Sequence, residues 1–211
     1  MTQERAAWTR EGILQAAAET FETRGYLGTS LRDIVTRRDV SKGALYFHFQ
    51  SKEALAIAVV QEHYEKWTRV VTEIRAQHHR AIQLMLELSW QTAQLIRDEA
   101  VMRAGIRLLA ERKLIGPSVP RPFVDWIGVI EELLDEARAQ HDLLPDVGIK
   151  ETARIIVAAL TGLHQISYAQ GGCTDPRACV STMWHCLLPG IVTLGCLADM
   201  RAIVAGFGDD S

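Results

Sequence analysis

The spacing of the apolar residues constrains this 211-residue chain more than any other feature. Apolar residues recur at intervals of three and four almost throughout, and no stretch of four or more residues shows the strict alternation of a half-buried strand. The fold class is therefore all-α. Hydrophobic residues make up 48% of the chain, enough for a packed core in one domain or two small ones. The longest apolar stretches, IIVAALTGL from Ile155 and LLPGIVTLGCLA from Leu187, are far shorter than the ~20 residues of a membrane-spanning helix and read as buried helices. Met1 leads into the polar MTQERAAWTRE with no apolar run behind it, so no signal peptide and no membrane association are expected, and the protein is placed in the cytoplasm.

The local signals divide the chain further. Ile13, Leu14, Ala17, Ala18 and Phe21 form one stripe on a first helix, which stops before Gly25. Ser30 with Asp33 matches a capping box and opens a short second helix whose buried face is Leu31, Ile34 and Val35. Asp39 occupies the following turn. Ser41 caps a third helix of about two turns, with Val40 and Leu45 placed as a hydrophobic staple. Ser51 with Glu53 marks a fourth helix, running through Leu55, Val59, Tyr64, Trp67 and Val71 to about Arg75, or ~35 Å. Residues 1–52 are thus a head and residues 53–211 a helical-bundle body. Beyond the polar AQHHR break, helices are expected near 80–97, 99–112, 121–140, 147–170 and 175–199, about nine in all, separated by breakers such as IGPSVPRP and HDLLPDVG. Pro189 should bend the last of them or mark a restart.

Charge singles out the head. The formal net charge is −3, which argues against a protein that coats nucleic acid without regard to sequence. Yet residues 1–52 hold 8 basic and 6 acidic residues, and between Gly28 and Lys52 the balance is 5 to 2. Two short helices joined by a tight turn, the second of them basic and aromatic, form a helix-turn-helix, whose second helix enters the major groove. With Val40, Leu45 and Phe49 turned to the core, Lys42, Gly43, Tyr46 and Phe47 lie on or near the outer face, followed by His48 and Lys52. Gly43 lets backbone approach DNA closely, Lys42 reaches a base edge or phosphate, Phe47 meets a thymine methyl, and Tyr46, His48 and Lys52 donate to phosphates.

The segment YLGTSLRDIVTRRDVSKGALYFHFQSKEAL, from Tyr26 to Leu55, resembles the DNA-binding head of the TetR family of bacterial repressors. The resemblance implies a homodimer on a pseudo-palindromic operator, with Arg32 and Lys42 as base readers. It also implies Gly43, Tyr46, Phe47 and His48 at the groove and Lys52 on phosphate. Family members often carry Gly where this chain has Asp39, a residue that tolerates the left-handed turn less well than Gly but better than most.

The body carries Trp67, Met85, Trp90, Met102, Trp126, Tyr168, Met183 and Trp184 on different helices, with Gln91, Gln94, Thr161, His164 and Gln165 as polar neighbours. Such a set is either plain core or the lining of a mostly apolar pocket with a few orienting groups. VMRAGIRLL from Val101, PFVDW from Pro122 and MWHCLLPGIV from Met183 resemble the γ-butyrolactone receptor subfamily. That resemblance implies a signal of the lactone, butenolide or alkyl furan class that releases DNA on binding. It also implies Trp126 stacked on the signal's ring, with Thr161 and Tyr64 as polar contacts. Gln165, one turn beyond Thr161, is added from spacing. Ala153, Ala158, Ala159 and Gly162, with Ala178, Gly190 and Gly195, offer small residues for a dimer interface on the last two long helices.

No catalytic or cofactor motif is present: there is no Gly-rich phosphate loop, HExxH or GxSxG. Cys173, Cys179, Cys186 and Cys196 form no CxxC pair and read as buried apolar thiols, and the histidines show no metal-ligand spacing, so neither a metal nor another cofactor is expected. The expected function is a ligand-responsive repressor of antibiotic or other secondary-metabolite genes. A TetR-type drug- or metabolite-responsive regulator of an efflux or catabolic operon, a small helical-bundle enzyme and an architectural DNA protein are the rivals.

Overall fold

A computed structural model describes residues 2–36, 41–121, 123–169 and 176–207, excepting the side chains of 2–9, 168–169 and 176–177. Asp39, Val40, Cys173 and the Tyr168 side chain, and with them the turn and the staple expected of the head, lie outside the described residues. The described residues form eleven α-helices and a 3-10 turn, and the only extended pairing among them is an isolated bridge between Leu143 and Val192. No helix among these residues is long and apolar enough to cross a membrane.

The chain forms two compact units. The first comprises residues 1–68 and 96–122. It contains α1 (Thr2–Arg24), α2 (Leu31–Val35), α3 (Lys42–His48), most of α4 (Lys52–Arg75), α6 (Ala100–Ala110) and α7 (Arg112–Ile115). The stripe read from the sequence is its core: Ile13, Leu14, Ala17, Ala18 and Phe21 are buried with Ile34, Leu45, Phe49, Leu55 and Val59. α1 ends at Gly25, whose φ of +68° turns the backbone out of the helix while its N–H still donates to Phe21 O at 2.8 Å. Ser30 and Asp33 form the full capping box of α2, and its hydrogen bonds from Ser30, then the charge of Arg24, hold the Asp33 carboxyl below its ordinary range. Ser41 accepts from Ala44 N at 3.1 Å and Ser51 from Ala54 N at 3.0 Å, so both helix starts fall where the sequence places them.

This unit extends beyond the first 52 residues because α6 lies along α1, with Ala100, Ala104 and Leu108 in the same core. A polar row reinforces the contact. Arg103 Nε donates to Glu22 Oε1 at 2.7 Å, Arg107 Nη1 to Glu22 O at 2.6 Å, and Glu111 Oε2 accepts Tyr26 N–H at 2.6 Å.

The second unit comprises residues 69–95 and 123–211. It holds the end of α4, most of α5 (Ala81–Asp98), α8 (Val124–Ala139), α9 (Ile149–Ala169), α10 (Pro176–Leu187), the 3-10 turn Leu188–Gly190 and α11 (Leu194–Gly206). α8 packs on α9, and α10 on α9 and α11. Ile82, Met85, Leu86, Leu133, Leu134, Ile156, Trp184 and Val204 are buried here. The helix expected over 175–199 is broken: α10 stops at Leu187, and α11 restarts at Leu194. Pro189 begins the break, and the 140–148 loop completes it. Thr193 N donates to Asp142 O at 2.8 Å and Leu144 N to Ile191 O at 2.9 Å, so backbone groups freed from the helix find partners across the loop. Arg80 in turn holds the buried Asp142 carboxylate through two nitrogens. With this break and the one-turn α7, the described residues hold eleven helices where about nine are expected.

Candidate DNA-binding face and ligand site

α3 separates its two faces as a recognition helix requires. Leu45 and Phe49 are buried, while Lys42, Gly43, Tyr46 and Phe47 face solvent, Phe47 at 81% exposure. A phenyl ring held that far into water has no role in the core of its own chain. Gly43 points the same way: a Cβ there would meet nothing within 4 Å, so no internal contact requires glycine. A helical glycine costs about 0.5–1 kcal/mol relative to alanine, and the room it leaves is on the outside. Arg32 is exposed on α2, and the half-buried His48 sets its ring edge-on to Phe47 at 5.1 Å.

Lys52 is placed otherwise than expected for a group reaching only to phosphate. Its Nζ donates to Tyr26 O and Thr29 O, both at 2.9 Å, and lies 4.3 Å from the centroid of the Tyr26 ring. It ties down the α1–α2 loop at two carbonyls, while Glu111 accepts the Tyr26 N–H of the same loop. Sequence reading missed this clamp. The spacing of Arg103, Arg107 and Glu111, four residues apart on one helix face, was its only signal. Arg10, over the Phe49 ring at 5.7 Å, was also missed.

The expected ligand residues divide between the units. Trp126 is buried on α8 at 7% exposure, and Thr161 is half-buried on the adjoining α9, its hydroxyl donating to Val157 O at 2.8 Å. The Thr161 oxygen keeps lone-pair capacity to accept. Gln165 is exposed, and so does not share the burial of Thr161. Tyr64 belongs to the first unit, half-buried with its ring edge-on to His63 at 5.5 Å. Trp67 and Met102 are core residues of that unit too, while Met85, Trp90, Met183 and Trp184 belong to the second, where Trp90 stacks on Phe207 at 4.8 Å. The buried Trp184 Nε1 and Thr92 Oγ1, also in the second unit, have no hydrogen-bond partner among the described residues.

No group of His, Cys, Asp and Glu suited to a metal occurs among the described residues. Of the cysteines expected as buried thiols, Cys196 is buried, but Cys179 is half-buried and Cys186 exposed.

Residues 13–59 match the family described as bacterial regulatory proteins, tetR family, and residues 79–193 match the tetracyclin repressor-like C-terminal domain. The A-factor receptor protein of Streptomyces griseus is 35% identical over 199 residues, covering 94% of this chain and 69% of that protein. A crystal structure of a gamma-butyrolactone receptor, an ArpA-like protein, superimposes with a TM-score of 0.88 at 28% identity, covering 98% of this chain and 100% of that one. CprB of Streptomyces coelicolor in complex with its biological operator sequence gives a TM-score of 0.86 at 29% identity, with the same coverage. The chain belongs to the TetR family of bacterial transcriptional regulators.

Proposed function

We propose that this protein is a homodimeric repressor that holds a pseudo-palindromic operator until a small diffusible signal of the γ-butyrolactone, butenolide or alkyl furan class releases it, and that it governs antibiotic or other secondary-metabolite genes. The observation that carries the DNA-binding half is the solvent-facing row of α3, where Phe47 and the contact-free Gly43 stand outside any core. In this reading Arg32 and Lys42 read bases, Gly43, Tyr46, Phe47 and His48 lie at the groove, and Lys52 approaches phosphate with the part of its ammonium not held by the loop. Residues 1–52 supply the DNA contacts and residues 53–211 the ligand and dimer contacts. α9 and the helices after it form the dimer face, on which Ile155, Ile166 and Leu194 are exposed in the single chain.

The ligand half is supported by similarity along 94% of the chain to an A-factor receptor and by likeness to a gamma-butyrolactone receptor structure. Trp126 stacks on the signal's ring, with Thr161 of the adjoining α9 as a polar contact; the resemblance adds Tyr64, and spacing adds Gln165, as further candidates. The buried Trp184 N–H and Thr92 hydroxyl are further polar groups of the kind a ligand satisfies. In this reading the ligand is bound and not turned over, in keeping with a family of transcriptional regulators, and the protein acts in the cytoplasm, where a bacterial operator lies.

The test is a gel-shift on DNA upstream of the protein's own and neighbouring genes, repeated with synthetic γ-butyrolactones, butenolides and alkyl furans. Specific binding released by one class is the expected result. Specific binding that none of them releases transfers the protein to the drug-responsive regulators of efflux or catabolism, and an absence of specific binding overturns the assignment of the head.

A further inference from the structure

Three residues other than glycine have a left-handed backbone among the described residues: His78 at φ 55°, His141 at φ 60° and Phe123 at φ 63°. Histidine is among the residues enriched in this conformation, whereas a bulky aromatic there is an outlier, held only where its surroundings determine it. Phe123 is the N-cap of α8, at φ 63° and ψ 0°, and makes no side-chain hydrogen bond to the first turn. Helix initiation does not call for phenylalanine here, because asparagine would tolerate the backbone and cap the helix as well.

The ring is what Phe123 contributes. Its centroid lies 5.6 Å from that of Trp126 with the planes at 63°, an edge-to-face pair. Trp126 is buried and Phe123 half-buried, so the pair leads from the interior of the second unit to its surface. The chain passes between the two units at three places, two of them inside the continuous helices α4 and α5 and the third immediately before Phe123.

We propose that Phe123 is a further ligand-contacting residue, its ring forming the outer wall of the aromatic site that Trp126 begins and receiving a small molecule with a flat ring and an apolar tail. This rests on the ligand-responsive reading above. The strained backbone fixes the ring's position before the ligand arrives, which lowers the ordering cost of binding. An aliphatic side chain would fill the same space without presenting a face to a flat ring.

The test compares the wild type with Phe123→Gly, Phe123→Ala and Phe123→Tyr. Release from the operator is titrated with synthetic γ-butyrolactones, butenolides and alkyl furans, each half-release concentration being referred to that variant's own ligand-free operator affinity. Thermal melts are recorded without ligand. Phe123→Gly should need about 3–10-fold more of the releasing compound, the equivalent of one aromatic contact, and Phe123→Tyr should stay within about twofold of wild type. Phe123→Gly should also melt about 2 °C above Phe123→Ala, since both lack the ring and only alanine bears the left-handed strain. A wild type released by one class, with Phe123→Gly released at the same concentration, overturns this proposal and leaves the ligand-responsive reading standing. A Gly variant that melts below the Ala variant removes the strained backbone and overturns it as well. A wild type that no class releases overturns the assignment of the signal to these three classes, and this proposal with it.

Discussion

Lys42 and Lys52 carry the same ammonium on the same flexible stem, and the head uses them differently. Lys42 is exposed on the first turn of α3, where a base reader must stand. Lys42→Ala should weaken operator binding by about 1–3 kcal/mol and flatten the preference at the base pair it reads; a footprint unchanged across operator variants would remove it from the interface. Lys52 is tied to the carbonyls of Tyr26 and Thr29. Lys52→Ala should therefore destabilise the protein by about 1–3 kcal/mol, seen in thermal melts, and weaken binding to all sequences alike. His63 adds a titration. Burial pushes its pKa from 6.5 down to about 4, so below pH 6.5 the unfolded chain takes up a proton that the folded chain refuses. The contribution is whole above pH 6.5 and is lost as pH falls from 6.5 to 4, a change of about 3 kcal/mol over that window. Melting temperatures recorded between pH 7 and pH 4 should fall less steeply for His63→Gln than for the wild type.

At the scale of helices, α6 joins the head to α4 as well as to α1. His63 on α4 lies against Gly105 on α6, and a Cβ at Gly105 would stand 2.6 Å from the His63 Nδ1. Gly105→Ala should destabilise by about 1–3 kcal/mol through overpacking, and His63→Ala placed beside it should recover part of that loss. Strictly additive losses in that double-mutant cycle would show that the two side chains do not meet. These contacts mark where sequence reading stops. The stripe of α1, the capping box at Ser30, the starts at Ser41 and Ser51 and the outward set on α3 were legible, because each depends on neighbours within a few residues. Periodicity tells which face of α6 is buried but not that α1 covers it, so the bonds of Arg103 and Arg107 to Glu22 of α1, and of Glu111 to the Tyr26 N–H in the loop that follows, went unread. The break after Leu187 is of the same kind. Pro189 was visible, but the carbonyl that receives Thr193 N–H belongs to Asp142, remote in sequence. Of the ligand residues, Trp126 and Thr161 were placed on two helices that do pack, while Gln165, chosen by spacing alone, is exposed.

For the whole molecule the balance of charge and binding energy decides what a signal can do. The chain carries a formal net charge of −3, so attraction for DNA comes from the local excess of basic residues in the head and not from a general field. Operator binding therefore rests on a small number of phosphate contacts together with base contacts, and its salt dependence is set by the head. Against such binding a modest ligand suffices. A signal present at about 100 times its dissociation constant, and bound only by the state that has released DNA, contributes ~2.7 kcal/mol and shifts occupancy roughly 100-fold. The shift depends on the difference in affinity between the two states, so a side chain that contacts the signal is felt in release. In the site proposed above Trp126 is the side chain with most to lose, a large buried ring on α8. Trp126→Ala should raise the signal concentration for half-release at least tenfold, about 1.4 kcal/mol or more of lost differential binding, when titrated on operator already bound by the variant. Release at the wild-type concentration would show that the energy of the switch is collected elsewhere, and the ligand would have to be sought among the other buried aromatics of the second unit.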